Sequence, residues 1–153
     1  MLFRRILCPV DFSEPSQFAL RTAAQLAIDC RAELVVVHVW QSPLHPEYSE
    51  QILQNEILAA VKQKEETALA ASKRDVEALG LERVRTKLLY GVPWDAIARE
   101  SCADSYDVVV VGTHGRTGLK HVLLGSVAER VARHAGCPVL LVRPRECGEG
   151  SER

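Results

Sequence analysis

At 153 residues, with 47% apolar and 25% charged side chains, the chain has the composition of one soluble domain large enough for a sizeable core. A formal net charge of −1 gives no electrostatic case for nucleic acid or an anionic membrane as partner, and no apolar run approaches the length of a membrane span. The opening MLFRRILCPVDFS carries two arginines, but Pro9 and Asp11 break its apolar part; it does not read as a secretory signal, and the expected location is the cytoplasm.

Arg4 to Val10 (RRILCPV) reads as a short strand, with Asp11 just beyond it. Ser13 is placed to cap a helix that tolerates Pro15 in its first turn and runs to about Cys30. Phe18/Ala19, Ala23, Leu26/Ala27 and Cys30 keep the three-to-four spacing of one buried face. Glu33 to Trp40 (ELVVVHVW) is a second buried strand, in which His38 reads as a satisfied core histidine. Residues 41–49 hold Pro43 and Pro46, which block regular structure; the segment is a connection or a lid.

A long helix is expected from Glu50 to about Leu79, with Leu53, Ile57, Val61, Ala68, Ser72 and Leu79 on one face and a solvated middle at Lys62 to Glu66. Gly80 stands where a C-cap glycine belongs. Arg83 to Tyr90 is a third strand, Gly91 a turn, and Pro93 opens a helix to about Ala103 with Ile97 and Ala98 inward. A strand buried on both faces follows at Val108 to Val111. The last helix starts at Gly125-Ser126, with Leu123/Leu124, Val127/Ala128, Val131/Ala132 and Ala135 as its inner face, and stops at Gly136. Pro138 to Val142 is the fifth strand. The domain spans 1–144, and the polar remainder 145–153 is too rich in small residues to order itself.

Strands alternating with helices imply βαβ units, a parallel sheet and helices on both of its faces. In such folds ligands sit beyond the carboxyl ends of the strands, where the strand order reverses. Pro9-Val10-Asp11, Val39 and Gly112 converge on that rim. After Val111 come Gly112, Gly115 and Gly118, with Thr113, His114, Arg116 and Thr117 between them, and then a helix start. Exposed backbone N–H groups in such a turn can wrap an anion, so the stretch is a candidate phosphate site.

Neither G-x-G-x-x-G nor a P-loop is present. The spacing Gly112-x2-Gly115-x9-Gly125-Ser126 instead resembles the ATP-binding signature of the universal stress protein family, G-x2-G-x9-G-[ST]. The resemblance extends over residues 3–143, through ILCPVDFSEPS, LVVVHV and VVVVGTHGRTGLKHVLLGSVAERVARHAGCPVLLVR. It implies a single-domain Rossmann-like α/β fold of the adenine nucleotide alpha hydrolase type, five parallel strands in the order 3-2-1-4-5, and an ATP site on the same rim. Pro9, Asp11 and the Val39 backbone would surround adenine, and Gly112, Thr113, His114, Gly115, Arg116, Thr117 and Gly118 would wrap ribose and phosphates. Gly125, Ser126, Val127 and Ala128 would bind phosphate at the helix start. Mg2+ or Mn2+ would arrive with the phosphates. A homodimer through Val139, Leu140, Leu141 and Val142 is also implied. Cys8, where the family usually carries a plain aliphatic residue, is a departure of small consequence.

Each site residue has a plainer structural reading. Ser126 and Glu129 form an S-x-x-E capping box. Asp11 suits a turn, Gly112 and Gly115 suit tight turns, and Arg116 is either a phosphate counter-charge or a solvated arginine. His114 and His121 have no third partner in the sequence that would make a metal site. The cysteines, Cys8, Cys30, Cys102, Cys137 and Cys147, form no C-x-x-C pair. The first three lie in apolar stretches and are expected buried and reduced, with Cys147 the reactive one.

The leading function is a nucleotide-dependent regulatory module in the stress response, with no catalytic residue assigned. The alternative is a slow ATPase or nucleotidyl transferase at the same site, using His114 or Asp11. A phospho-receiver is excluded, because its acceptor aspartate would follow the third strand, which ends in Tyr90-Gly91.

Overall fold

The computed structural model describes residues 3–41, 51–114 and 124–144. In chain order the elements are β1 (Arg5–Pro9), α1 (Glu14–Cys30), β2 (Glu33–Trp40), α2 (Gln51–Glu77), β3 (Val84–Tyr90), α3 (Pro93–Ala103), β4 (Val108–Gly112), α4 (Ser126–His134) and β5 (Val139–Val142). The strands form one five-stranded parallel sheet in the order β3-β2-β1-β4-β5. This is the order implied in sequence.

The continuous apolar runs follow from two-sided burial. Alternate residues of a strand face opposite sides. Ile6, Cys8, Leu34, Val36, Val108 and Val110 therefore pack on Ala19, Leu20, Ala23, Ala24 and Ala27 of α1 and on Leu69 and Val76 of α2. Leu7, Val35, Val37 and Val109 pack the other way, on Ile97 of α3 and Val131 of α4. Small residues along α1 bring its axis close to the sheet.

Ser13 caps α1 as expected, its hydroxyl accepting from the Ser16 N–H, and Arg31 closes the helix in the left-handed region (φ 55). Gly80 and Gly91 both take positive φ, at 94 and 126, as their turn positions predict. At the amino ends of the strands a charged cluster pins the sheet: Asp107 accepts the N–H groups of Arg4 and Arg5 at 2.7 and 2.8 Å, and Arg5 lies between Glu33 and Asp104. The Arg5 guanidinium holds the Asp104 carboxyl below its usual range.

Several faces differ from the sequence reading. Among the described side chains of α2, Leu69, Ser72 and Val76 are buried, Ser72 as expected, whereas Ile57 is exposed; Leu79, also exposed, lies beyond the helix end at Glu77. On α4, Ala128 and Val131 are buried, but Val127 and Ala132 are exposed, because the short helix offers the sheet only a narrow stripe. Cys8 is buried, Cys30 half-buried, and Cys102, expected inside, is exposed in the last turn of α3. Residues 42–50, Gly115–Gly118, His121, Leu123 and Cys147 lie outside the described residues, as does the side chain of Leu53. Among the described residues no helix is long and apolar enough to cross a membrane.

Candidate functional site

Strand order reverses between β1 and β4, so the crevice lies beyond their carboxyl ends. Four short segments meet there. The first is the end of β1, where the ladder to β2 stops at Pro9 and Val37 and the Val10 N–H makes one more bond, 2.8 Å to the Val37 carbonyl. The chain then turns sharply. Asp11 accepts from the backbone N–H and hydroxyl of Ser13, and its own N–H donates to Ser16 Oγ. Phe12 is held at φ 64, a conformation uncommon for a side chain of its size. The turn reading of Asp11 is thus realised.

The second segment is the end of β2, which outruns β1. Peptide groups of alternate residues in a strand point to the same side. The Val37 carbonyl points toward β1, so the peptide groups of Val39 face the space beyond the end of β1.

The third and fourth segments are the end of β4 and the start of α4, held together by backbone. Thr113, 6% exposed, donates its N–H to the Val142 carbonyl at 3.0 Å and accepts the Gly125 N–H at 2.6 Å. Its hydroxyl lies 3.0 Å from His114 Nδ1. The chain therefore leaves β4 and returns to the same point to begin α4. Gly125 is the N-cap (φ −69, ψ 152), its carbonyl accepting the Glu129 N–H at 2.9 Å.

This geometry corrects the capping box. Among the described residues no side chain caps α4: Ser126 is the first helical residue, and Glu129 pairs with Arg133 at 2.8 Å. The first-turn N–H groups of Ser126, Val127 and Ala128 have no acceptor within the helix. They carry the positive end of its dipole at the mouth of the crevice. Gly112 serves packing rather than a turn. A Cβ there would stand 3.0 Å from the Pro15 carbonyl oxygen, so its small size lets the start of α1 lie over the end of β4.

The described part of the site thus brings together Pro9, Asp11, Val39, Gly112, Thr113, His114, Gly125, Ser126, Val127 and Ala128. Gly115, Arg116, Thr117 and Gly118 lie outside the described residues. Sequence reasoning missed the Thr113–Gly125 clasp, which is made by backbone and has no residue signature. It also missed the partner of His38. The Nδ1 of that ring lies 2.7 Å from the Val10 carbonyl and its Nε2 3.1 Å from the Glu65 carboxylate. Among the described residues no group of three His, Cys, Asp or Glu side chains is placed to hold a metal. A shallow groove between α3 and α4, lined by Trp94, Arg99, Cys102 and His134, is separate from this rim.

These elements form a doubly wound parallel sheet with the start of α4 at its switch point, the place where ligands of such folds sit. The model of the universal stress protein family matches residues 2–143, and the chain belongs to that family. It is 37% identical to a universal stress protein of Methanocaldococcus jannaschii, MJ0531, over 93% of this chain and 83% of that one. The solved universal stress protein UspA from Lactobacillus plantarum superposes with a TM-score of 0.83 at 25% identity, covering 94% of this chain and 99% of that one. The universal stress protein from Archaeoglobus fulgidus, solved in complex with dAMP, shares the fold with a TM-score of 0.64 at 23% identity, over 94% and 100% of the two chains.

Proposed function

We propose that this chain is an ATP-binding regulatory module, holding the nucleotide across the crevice between β1 and β4. The observation that carries the reading is the start of α4, which no side chain among the described residues caps and which is clasped to the end of β4 through Thr113 and Gly125. Phosphate oxygens accept from the N–H groups of Ser126, Val127 and Ala128 and from the Ser126 hydroxyl, and the glycine-rich stretch 112–118 is expected to supply further contacts. The base lies across the ends of β1 and β2, where Pro9 and Asp11 border it and the Val39 peptide groups offer one donor and one acceptor. A divalent ion, where present, is carried by the phosphates. The dAMP complex of the Archaeoglobus fulgidus relative supports an adenine ligand for the fold.

The parts named here hold phosphates in the ground state. Equal holding of ground and transition state gives affinity without rate. Turnover is therefore expected on the order of 1 per minute or slower, against a typical ~10 per second for enzymes.

Ligand released from the purified protein and identified by mass spectrometry tests the reading. An adenine nucleotide, lost from Gly115→Val, is the expected result, because a branched side chain would fill the space the phosphates need. Absence of any nucleotide, together with no saturable binding of added ATP at millimolar concentration, would overturn it. Phosphate release at several per second, missing in the same variant, would make the protein an enzyme instead.

A further inference from the structure

We infer that His38, bridged to Glu65 on α2, is a positioning residue that sets the adenine end of the nucleotide site; the inference rests on the nucleotide reading above. His38 immediately precedes Val39 in β2, and its ring is 5% exposed. The ring touches each segment that borders the base. Nδ1 lies 2.7 Å from the Val10 carbonyl, between Pro9 and Asp11. The Phe12 ring sits over it with centroids 4.5 Å apart, which holds the left-handed turn after Asp11 in place. Nε2 lies 3.1 Å from a Glu65 oxygen.

Glu65 is the informative partner. It belongs to the most polar stretch of α2, where Lys62, Gln63, Lys64 and Glu66 are all exposed and Glu65 alone is turned inward. Drawing a carboxylate out of water is unfavourable unless a partner compensates it. Here the partner is the ring that also supports the Val10 carbonyl. Both flanking oxygens accept, so the Glu65 contact closes as a hydrogen bond only with a proton between Nε2 and the carboxylate. Glu65 thereby fixes the ring, the ring fixes the Val10 peptide, and that peptide sets the spacing between Asp11 and Val39 in which a base must fit.

ATP titration well below the unfolding temperature, on wild type, Glu65→Gln, Glu65→Ala and His38→Phe, tests this route. Glu65→Gln should bind like wild type, because its amide donates to the neutral ring while Nδ1–H keeps Val10. Glu65→Ala should bind about three- to tenfold more weakly, the worth of one lost hydrogen bond. His38→Phe should lose more, since the Val10 carbonyl is left without its donor; if that variant does not fold, the two Glu65 variants carry the test. A merely structural role would lower the melting temperature without this order of affinities. Glu65→Ala binding as tightly as wild type, or Glu65→Gln as weakly as Glu65→Ala, overturns the positioning role while leaving the site intact. A wild type that binds no adenine nucleotide overturns the site reading itself, and this inference with it.

Discussion

A side chain at Gly112 would have nowhere to go. Its Cβ would lie 3.0 Å from the Pro15 carbonyl oxygen and 3.2 Å from the carbonyl carbon, both backbone atoms that yield only if α1 moves. Gly112→Ala should therefore cost about 1–3 kcal/mol, the usual penalty of overpacking, read as a lower urea midpoint at unchanged slope. An unchanged midpoint would mean that the start of α1 is free to shift. The glycine was legible in the sequence as part of a spacing, but its reason was not, because Pro15 is distant in sequence from β4. Cysteines divide the same way. Burial pushes the Cys8 thiol up to about 12, and the thiolate is the reacting species, whereas Cys102 is exposed. Among the described cysteines, Cys102 should take a maleimide label first and Cys8 only on unfolding, which peptide mapping of a timed reaction would show. Early labelling of Cys8 would mean that the β1 core opens in the native state.

The elements were legible where periodicity was long and caps were explicit. Ser13 and Pro15 announced α1, and glycines announced the turns at Gly80 and Gly91. The start of α4 was legible as a place but not as a geometry. The pattern S-x-x-E suits a helix capped by Ser126, yet the clasp to Thr113 moves the cap back to Gly125 and leaves Ser126 exposed in the first turn. On α2 the outcome is mixed: Ser72 faces the sheet as expected, beside Leu69 and Val76, whereas Ile57 is exposed and Leu79 lies past the helix end at Glu77. The start of α4, which no side chain among the described residues caps, makes a prediction of its own. Ser126→Asp places a negative charge against the positive end of the helix and should raise stability by about 0.3–1 kcal/mol at low salt, with the gain shrinking as salt is added. A loss of stability in thermal melts would show that the Ser126 hydroxyl is used elsewhere.

At the scale of the whole molecule, alternating strands and helices specified the sheet because the central strands β1, β2 and β4 are apolar on both faces, as a parallel sheet covered on both sides requires. The resemblance to the family supplied the strand order that periodicity could not. Among the described residues β5 is an edge strand beside β4, in which Leu140 and Leu141 remain 41% and 39% exposed. An apolar edge of this kind invites pairing. We expect a second copy to cover it in a two-fold dimer, so that wild type runs as a dimer by light scattering at micromolar concentration and Leu141→Lys shifts toward monomer. A monomeric wild type would contradict that assembly while leaving the nucleotide site untouched. The site itself is tested most directly by calorimetric titration of ATP into wild type and Ser126→Asp. A carboxylate at the start of α4 favours the helix and repels phosphate, so stability and affinity should move in opposite directions. Wild type should bind ATP saturably and the better-folded variant at least about tenfold more weakly, the effect of one unfavourable charge contact. Equal affinities in the two proteins, or no binding in wild type, would contradict it.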